Sequence, residues 1–240
     1  MTQELLFLMA TAASVGLIHT LVGPDHYVPF IAMASARKWS LRRTLGITAV
    51  CGVGHVTSSL LLAVLGIMFG RTLRELQWFD GIRNGIAGWL LLGFGLAYML
   101  WGLRQTIRNR PHEHPHLHAG NLLHEHSHHH RGEHTHVHTD LTQKQSLQRI
   151  TPWILFTIFI FGPCEALIPI LMVPAMGGHW WWVGLIVLNF GLITVTTMLV
   201  LVFIGYRGTT RQPFRQFERF GHALAGMALV VCGMAIQFGL

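Results

Sequence analysis

The chain has 240 residues, 51% of them hydrophobic and only 11% charged, and its mean hydropathy is +0.45. That profile excludes an ordinary soluble domain and fits a polytopic membrane protein. The net charge of +7 does not point to nucleic acid, because the basic residues sit in short segments between apolar runs, as membrane topology requires.

Three cysteines, Cys51, Cys164 and Cys232, all fall within apolar runs, and an odd number without close pairing argues against a disulfide framework. Residues 1–6 lack a basic region, so the N-terminus reads as the start of a retained helix. Six spans are expected, at roughly 4–35, 44–70, 82–104, 150–176, 180–206 and 217–239. The first is too long for one straight crossing. Gly23-Pro24 and Pro29 interrupt it, which predicts two half-helices with a bend. The fourth is interrupted at Gly162-Pro163, Pro169 and Pro174.

The first span carries His19-Thr20-Leu21-Val22-Gly23-Pro24-Asp25-His26. Two imidazoles and a carboxylate are costly in hydrocarbon, by about 2.5–3.5 kcal/mol for a central charge, so such residues usually have a task. Imidazole and carboxylate suit nickel, cobalt, zinc or copper, which makes His19, Asp25 and His26 candidate metal ligands. The plainer reading has the trio only hydrogen-bonding the broken backbone. His55, in Gly52-Val53-Gly54-His55, is read as a further ligand or a partner of one. A lone membrane histidine also often bonds a carbonyl of a neighbouring helix.

The stretch 82–104 is read as the third span, and the second loop is read as mixed in charge, with Arg71, Arg74, Glu75, Asp80 and, on the border of the span, Arg83. Residues 105–149 hold twelve of the seventeen histidines: His112, His114, His116, His118, His124, His126, His128, His129, His130, His134, His136 and His138. Such a polar segment cannot build a packed core and is expected to be disordered without metal, while its composition suits metal capture. In the fourth span, Glu165 is the only acidic residue of an apolar segment of more than 25 residues, and Cys164 precedes it. Both are candidate ligands, with simple packing the plainer reading for the cysteine. Thr57, Ser58, Ser59, Thr194, Thr196 and Thr197 are candidates to line a path, or to bond back to their own helices. His179 and His222 stay unassigned.

The two halves match. Gly162-Pro163 follows Gly23-Pro24 by 139 positions, Gly191 follows Gly54 by 137, and Phe217-Glu218 with Ala225-Gly226 and Gly233 follows Phe79-Asp80 with Ala87-Gly88 and Gly95 by 138. Three spans per copy would invert the second copy, as in transporters whose site lies between the halves. The expected fold is therefore all-α integral membrane, with six transmembrane helices as two inverted three-helix repeats and helices 1 and 4 broken. Repeat 1 covers 1–104, the histidine-rich loop 105–149 and repeat 2 150–240. Basic residues in the first, third and fifth loops place those loops in the cytoplasm and both termini outside.

These motifs resemble the nickel/cobalt permease superfamily, most closely its urease-accessory (UreH-like) branch. The resemblance rests on His19-x5-Asp25-His26 with Gly-Pro before the acid, Gly52-x-Gly54-His55, Gly162-Pro163-Cys164-Glu165-Ala166-Leu167-Ile168-Pro169, and the histidine-rich middle loop. It implies a six-helix transporter, not an enzyme, that moves Ni2+ or Co2+ across a bacterial inner or organellar membrane, with His19, Asp25 and His26 recognising the ion. No permanently bound cofactor is expected. The expected partners are the ion, with Zn2+ as a further candidate, the bilayer, and protons as a candidate coupling ion. Alternatives are a thiol- or haem-linked redox protein of the same clan, for which one half lacks the matching cysteine, and a small-anion exporter.

Overall fold

The computed structural model describes residues 3–69, 73–108, 116–117, 123–124, 140–162, 167–211 and 220–238. Eight helices are found among them: α1 (Gln3–Val22), α2 (Val28–Arg37), α3 (Leu41–Met68), α4 (Leu73–Arg108), α5 (Asp140–Phe161), α6 (Leu167–Met176), α7 (Trp180–Arg211) and α8 (Gly221–Gln237). Four stretches are long and apolar enough to cross a membrane: Gln3–Val22, Leu41–Gly66, Glu75–Ile107 and Trp180–Thr209. Thr151–Phe161, Leu167–Met176 and Gly221–Gln237 are shorter apolar helices. The outward faces are apolar too. Val22, Leu188, Leu192 and Trp89 are all more than 60% exposed, a surface suited to lipid and not to water.

The first helix breaks where expected. Pro24 has no N–H to continue the ladder, and the residue before a proline is pushed out of the helical region. Gly23 accordingly adopts φ −80° and ψ 97°, and Pro24–His26 form a single 3-10 turn before α2 begins. The chain then continues in the same general direction. Met9 accepts a hydrogen bond from Asn189, Gly16 packs on Phe190 and Thr194, Ile31 lies on Gly205, and the Trp39 carbonyl accepts from Tyr206. Those partners advance along α7 as the first segment advances, so α1, the turn and α2 together run parallel to α7. Helix α3 runs antiparallel to α7, with Gly52 on Val195 and Met198, and Gly191 on Val56. Helices α4 and α8 are the closest-packed pair, also antiparallel, through Gly88, Gly95 and Gly102 against Gly226 and Gly233. Small residues let two backbones approach this closely inside a membrane.

Helix α4 departs from the sequence reading. It starts at Leu73 instead of residue 82, so Glu75, Asp80 and Arg83, expected in a loop, are helical. Of the histidine-rich segment, 105–108 finish α4 and 140–149 begin α5. Two short strands, β1 (His116–Leu117) and β2 (Leu123–His124), pair antiparallel with His116 opposite His124. The remaining loop histidines, from His112 to His138, lie outside the described residues.

Two apolar clusters are found among the described residues. One joins Phe30, Met33, Cys51, Leu91, Leu155, Phe159, Met198 and Leu229. The other joins Ala12, Ala63, Leu76, Leu167, Leu171, Ile186 and Phe190. On α3 the first cluster holds Cys51 and the second Ala63; on α7 they hold Met198 and Phe190. Between them lie the buried polar residues Thr20, His26, His55, Ser59 and Thr194. The helix break thus sits in a polar layer between two apolar ones.

Candidate metal centre

The 3-10 turn fixes the first part of the site. The Gly23 N–H bonds back to the His19 carbonyl at 3.0 Å, and the His26 N–H to the Gly23 carbonyl at 3.1 Å. These bonds carry the chain through a further helical turn, and the His19 and His26 rings meet edge to face, with centroids 4.7 Å apart. Gly23 leaves space that a side chain would fill. A methyl group on it would lie 2.7 Å from His26 Nδ1 and 2.8 Å from Asp25 Oδ1. Helix α3 then brings His55 against His26, with ring centroids 5.1 Å apart.

The ligand atoms of His19, His26 and His55 all lie within 4.8 Å of one another. Their Nε2 atoms are buried and without a hydrogen-bond partner. His26 and His55 are each only 2% exposed. Buried polar atoms are normally paired, so three such orphans within one cluster of histidines call for an explanation.

The opposite edges of the rings supply part of it. His26 Nδ1 lies 3.1 Å from Asp25 Oδ1 and 3.2 Å from the Gly23 carbonyl. His55 Nδ1 lies 3.3 Å from the Phe159 carbonyl. These partners only accept, so Nδ1 must donate in both rings, which leaves the Nε2 lone pairs free. A carboxylate or carbonyl holding the far nitrogen is the usual support behind a metal-binding histidine. A divalent metal would hold nitrogens about 2.0–2.1 Å from itself and so about 3.4 Å from one another, which requires the three rings to draw together from the present spacing of up to 4.8 Å.

The sequence-expected residues are thus placed unequally. His19, His26 and His55 come together. Asp25 stands behind His26 and bonds its Nδ1. Cys164 and Glu165 lie outside the described residues. Cys51 and Cys232 are buried, free thiols in the apolar interior. Of the hydroxyls, Thr194 and Ser59 are fully buried, Ser58 bonds the His55 carbonyl at 2.9 Å, and Thr57 and Thr196 face outward. His179 stacks on Trp182, and His222 Nδ1 lies 2.8 Å from the Tyr98 hydroxyl. The resident the sequence reading missed is Arg83, whose guanidinium reaches the end of α5 beside His55.

Comparison with family models, with curated proteins and with solved structures finds no match for this chain. The chemistry of the site therefore stands on its own geometry.

Proposed function

We propose that this protein is an integral-membrane carrier of divalent transition-metal ions, with Ni2+ and Co2+ preferred, and not an enzyme. The observation that carries the reading is the convergence of three buried, unpartnered imidazole nitrogens at a broken helix. Nitrogen donors suit late first-row divalent ions over Mg2+ or Ca2+. Soluble proteins bury such trios around resident metals as well. Here the trio lies in a chain whose outer faces are apolar and whose first apolar helix is interrupted beside it, which supports a transport site within the membrane.

The inverted repeat is part of the proposal, and the α4–α8 crossing supports it. A methyl on Gly95 would meet the Val230 nitrogen at 2.7 Å and the Gly226 carbonyl at 3.0 Å; a methyl on Gly233 would meet the Leu92 nitrogen at 2.7 Å and the Gly88 carbonyl at 3.0 Å. Shifting each residue of the first set to its counterpart 138 positions away yields the second set. Two copies related by a two-fold axis in the membrane plane would produce such paired contacts. On this reading α1–α2 and α5–α6 are the broken crossings of the two copies.

In the proposed cycle, Nε2 of His19, His26 and His55 replaces water on the arriving ion. Asp25 holds His26 in the correct tautomer and offsets the ion's charge. Relative movement of the repeats then opens the site to the other side. The histidine-rich loop, on the cytoplasmic side by the charge rule, collects or buffers ions. Cys164 and Glu165, which follow Asp25 and His26 by 139 positions in the sequence, are proposed as further ligands of the same ion.

The test is flux of Ni2+, Co2+, Zn2+ and Mg2+ into proteoliposomes. Wild type should carry the first two fastest, and His26→Ala and His55→Ala should each abolish the flux. Equal flux by His26→Ala and wild type would reject the site.

A further inference from the structure

An ion pair on α4 is not accounted for by the histidine site. Asp80 is fully buried and the Arg83 side chain is 17% exposed, both inside the apolar stretch Glu75–Ile107. An arginine and a carboxylate at that depth are costly unless their hydrogen-bonding capacity is used.

Arg83 uses it in one direction. Its Nη1 donates to Asp80 Oδ1 at 2.9 Å. Its Nη2 faces three oxygens: Ser58 Oγ at 2.9 Å, the Ile160 carbonyl at 2.9 Å and the Gly162 carbonyl at 3.3 Å. The two carbonyls belong to the end of α5, where a helix runs out of internal donors. A cation there also meets the negative end of the helix dipole.

Both partners that this guanidinium grips, the Ser58 hydroxyl on α3 and the carbonyls at the end of α5, lie against His55. Ser58 Oγ donates to the His55 carbonyl at 2.9 Å, and Phe159, one residue before Ile160, accepts from His55 Nδ1. Gly162 lies close enough that a methyl on it would approach His55 Nδ1 to 3.3 Å. The chain of contacts therefore runs from Asp80 through Arg83 to the end of α5 and the first turn after His55.

We infer that Arg83, anchored by Asp80, is the positioning residue of the three-histidine site: it clamps the end of α5 against α3 and so fixes the ring of His55. The inference rests on reading the three histidines as a metal site. His19 and His26 are held by the 3-10 turn and do not depend on the clamp. Losing Arg83 removes its bonds to the Ile160 and Gly162 carbonyls, loosens the last turn of α5, and takes the fixed acceptor away from His55 Nδ1. Lysine keeps the charge but not the planar fork, so it can restore only part of the clamp.

The test uses the full chain in detergent micelles and two readouts. The first is amide hydrogen exchange over 155–162. The second is a Co2+ titration, with the buried-site absorption taken as the difference from His26→Ala. Arg83→Gln should raise exchange over 155–162 about tenfold and weaken buried-site Co2+ binding about tenfold, the lower end of the loss usual when a group behind a ligand is removed. Arg83→Lys should fall between Arg83→Gln and wild type in both. Ser58→Ala, which leaves the α5 contacts in place, should weaken Co2+ binding without raising exchange, and it serves if Arg83→Gln fails to fold. Wild-type exchange and affinity in Arg83→Gln, or no recovery in Arg83→Lys, would overturn the inference. Faster exchange in a protein with no buried Co2+ signal would instead overturn the metal reading and the positioning role with it, and leave Arg83 as a helix clamp only.

Discussion

His26 and Asp25 are neighbours in the chain, yet their side chains turn toward each other, with Nδ1 and Oδ1 3.1 Å apart. Both residues lie in the 3-10 turn that interrupts the first helix. Asp25 thereby fixes which nitrogen of His26 faces the cluster. Asp25→Asn keeps an acceptor but loses the charge, and should weaken Co2+ or Ni2+ binding by about 10–100-fold, the usual range for a group supporting a metal-bound histidine. His26→Ala should lose more. Metal titration of the purified variants checks both, and an unchanged affinity in Asp25→Asn would remove Asp25 from the account.

Gly23→Ala removes no donor atom, yet it should damage the site. The added methyl would press on both His26 Nδ1 and Asp25 Oδ1. Overpacking of this kind costs about 1–3 kcal/mol. The expected result is a lower thermal midpoint in detergent together with metal binding weakened at least about tenfold. Normal binding by Gly23→Ala would mean that the turn is looser than its contacts indicate.

The α4–α8 crossing should be the least tolerant helix contact. Gly226→Ala would drive a methyl into the Met99 backbone, and Gly95→Ala into the Val230 nitrogen. Each should destabilise the fold by about 1–3 kcal/mol. Gly85 on the same helix has open space around its Cβ position, so Gly85→Ala should be neutral or slightly stabilising. Thermal unfolding in one detergent separates these outcomes, and equal midpoints for all three variants would contradict the packing.

The histidine-rich loop should add metal capacity that disappears in acid. Free imidazole has a pKa of about 6.5, so protons displace metal from it as pH falls through that value. Equilibrium dialysis should find several more Ni2+ per chain at pH 7.5 than at pH 5.5 in the full-length protein. A chain lacking 112–138 should lose that difference and keep one tightly bound ion. If the deletion also removes the tight ion, the loop and not the membrane part holds it.

Parts of this arrangement are legible in the sequence for physical reasons. Pro24 cannot extend a helix, so the break and the three polar residues around it stand out within an apolar run. The partnership of His55 is less visible, because the packing that brings α3 to the turn has no local signal. Whether Asp25 binds an ion or orients His26 is also hidden from spacing alone, since either role needs only a carboxylate beside the break. Arg83 and Asp80 mislead outright. A charge-rich stretch reads as a loop, and what lets it lie in a helix is a set of acceptors on α5, 77 and 79 positions away in sequence.

The central claim is that three imidazoles meet one ion inside the membrane part of the chain. X-ray absorption on Ni2+-loaded protein lacking 112–138 tests it most directly. The account predicts one bound ion whose spectrum carries the ring scattering of three imidazoles, falling to two in His55→Ala. A spectrum of oxygen ligands alone, or one that His55→Ala leaves unchanged, would contradict it.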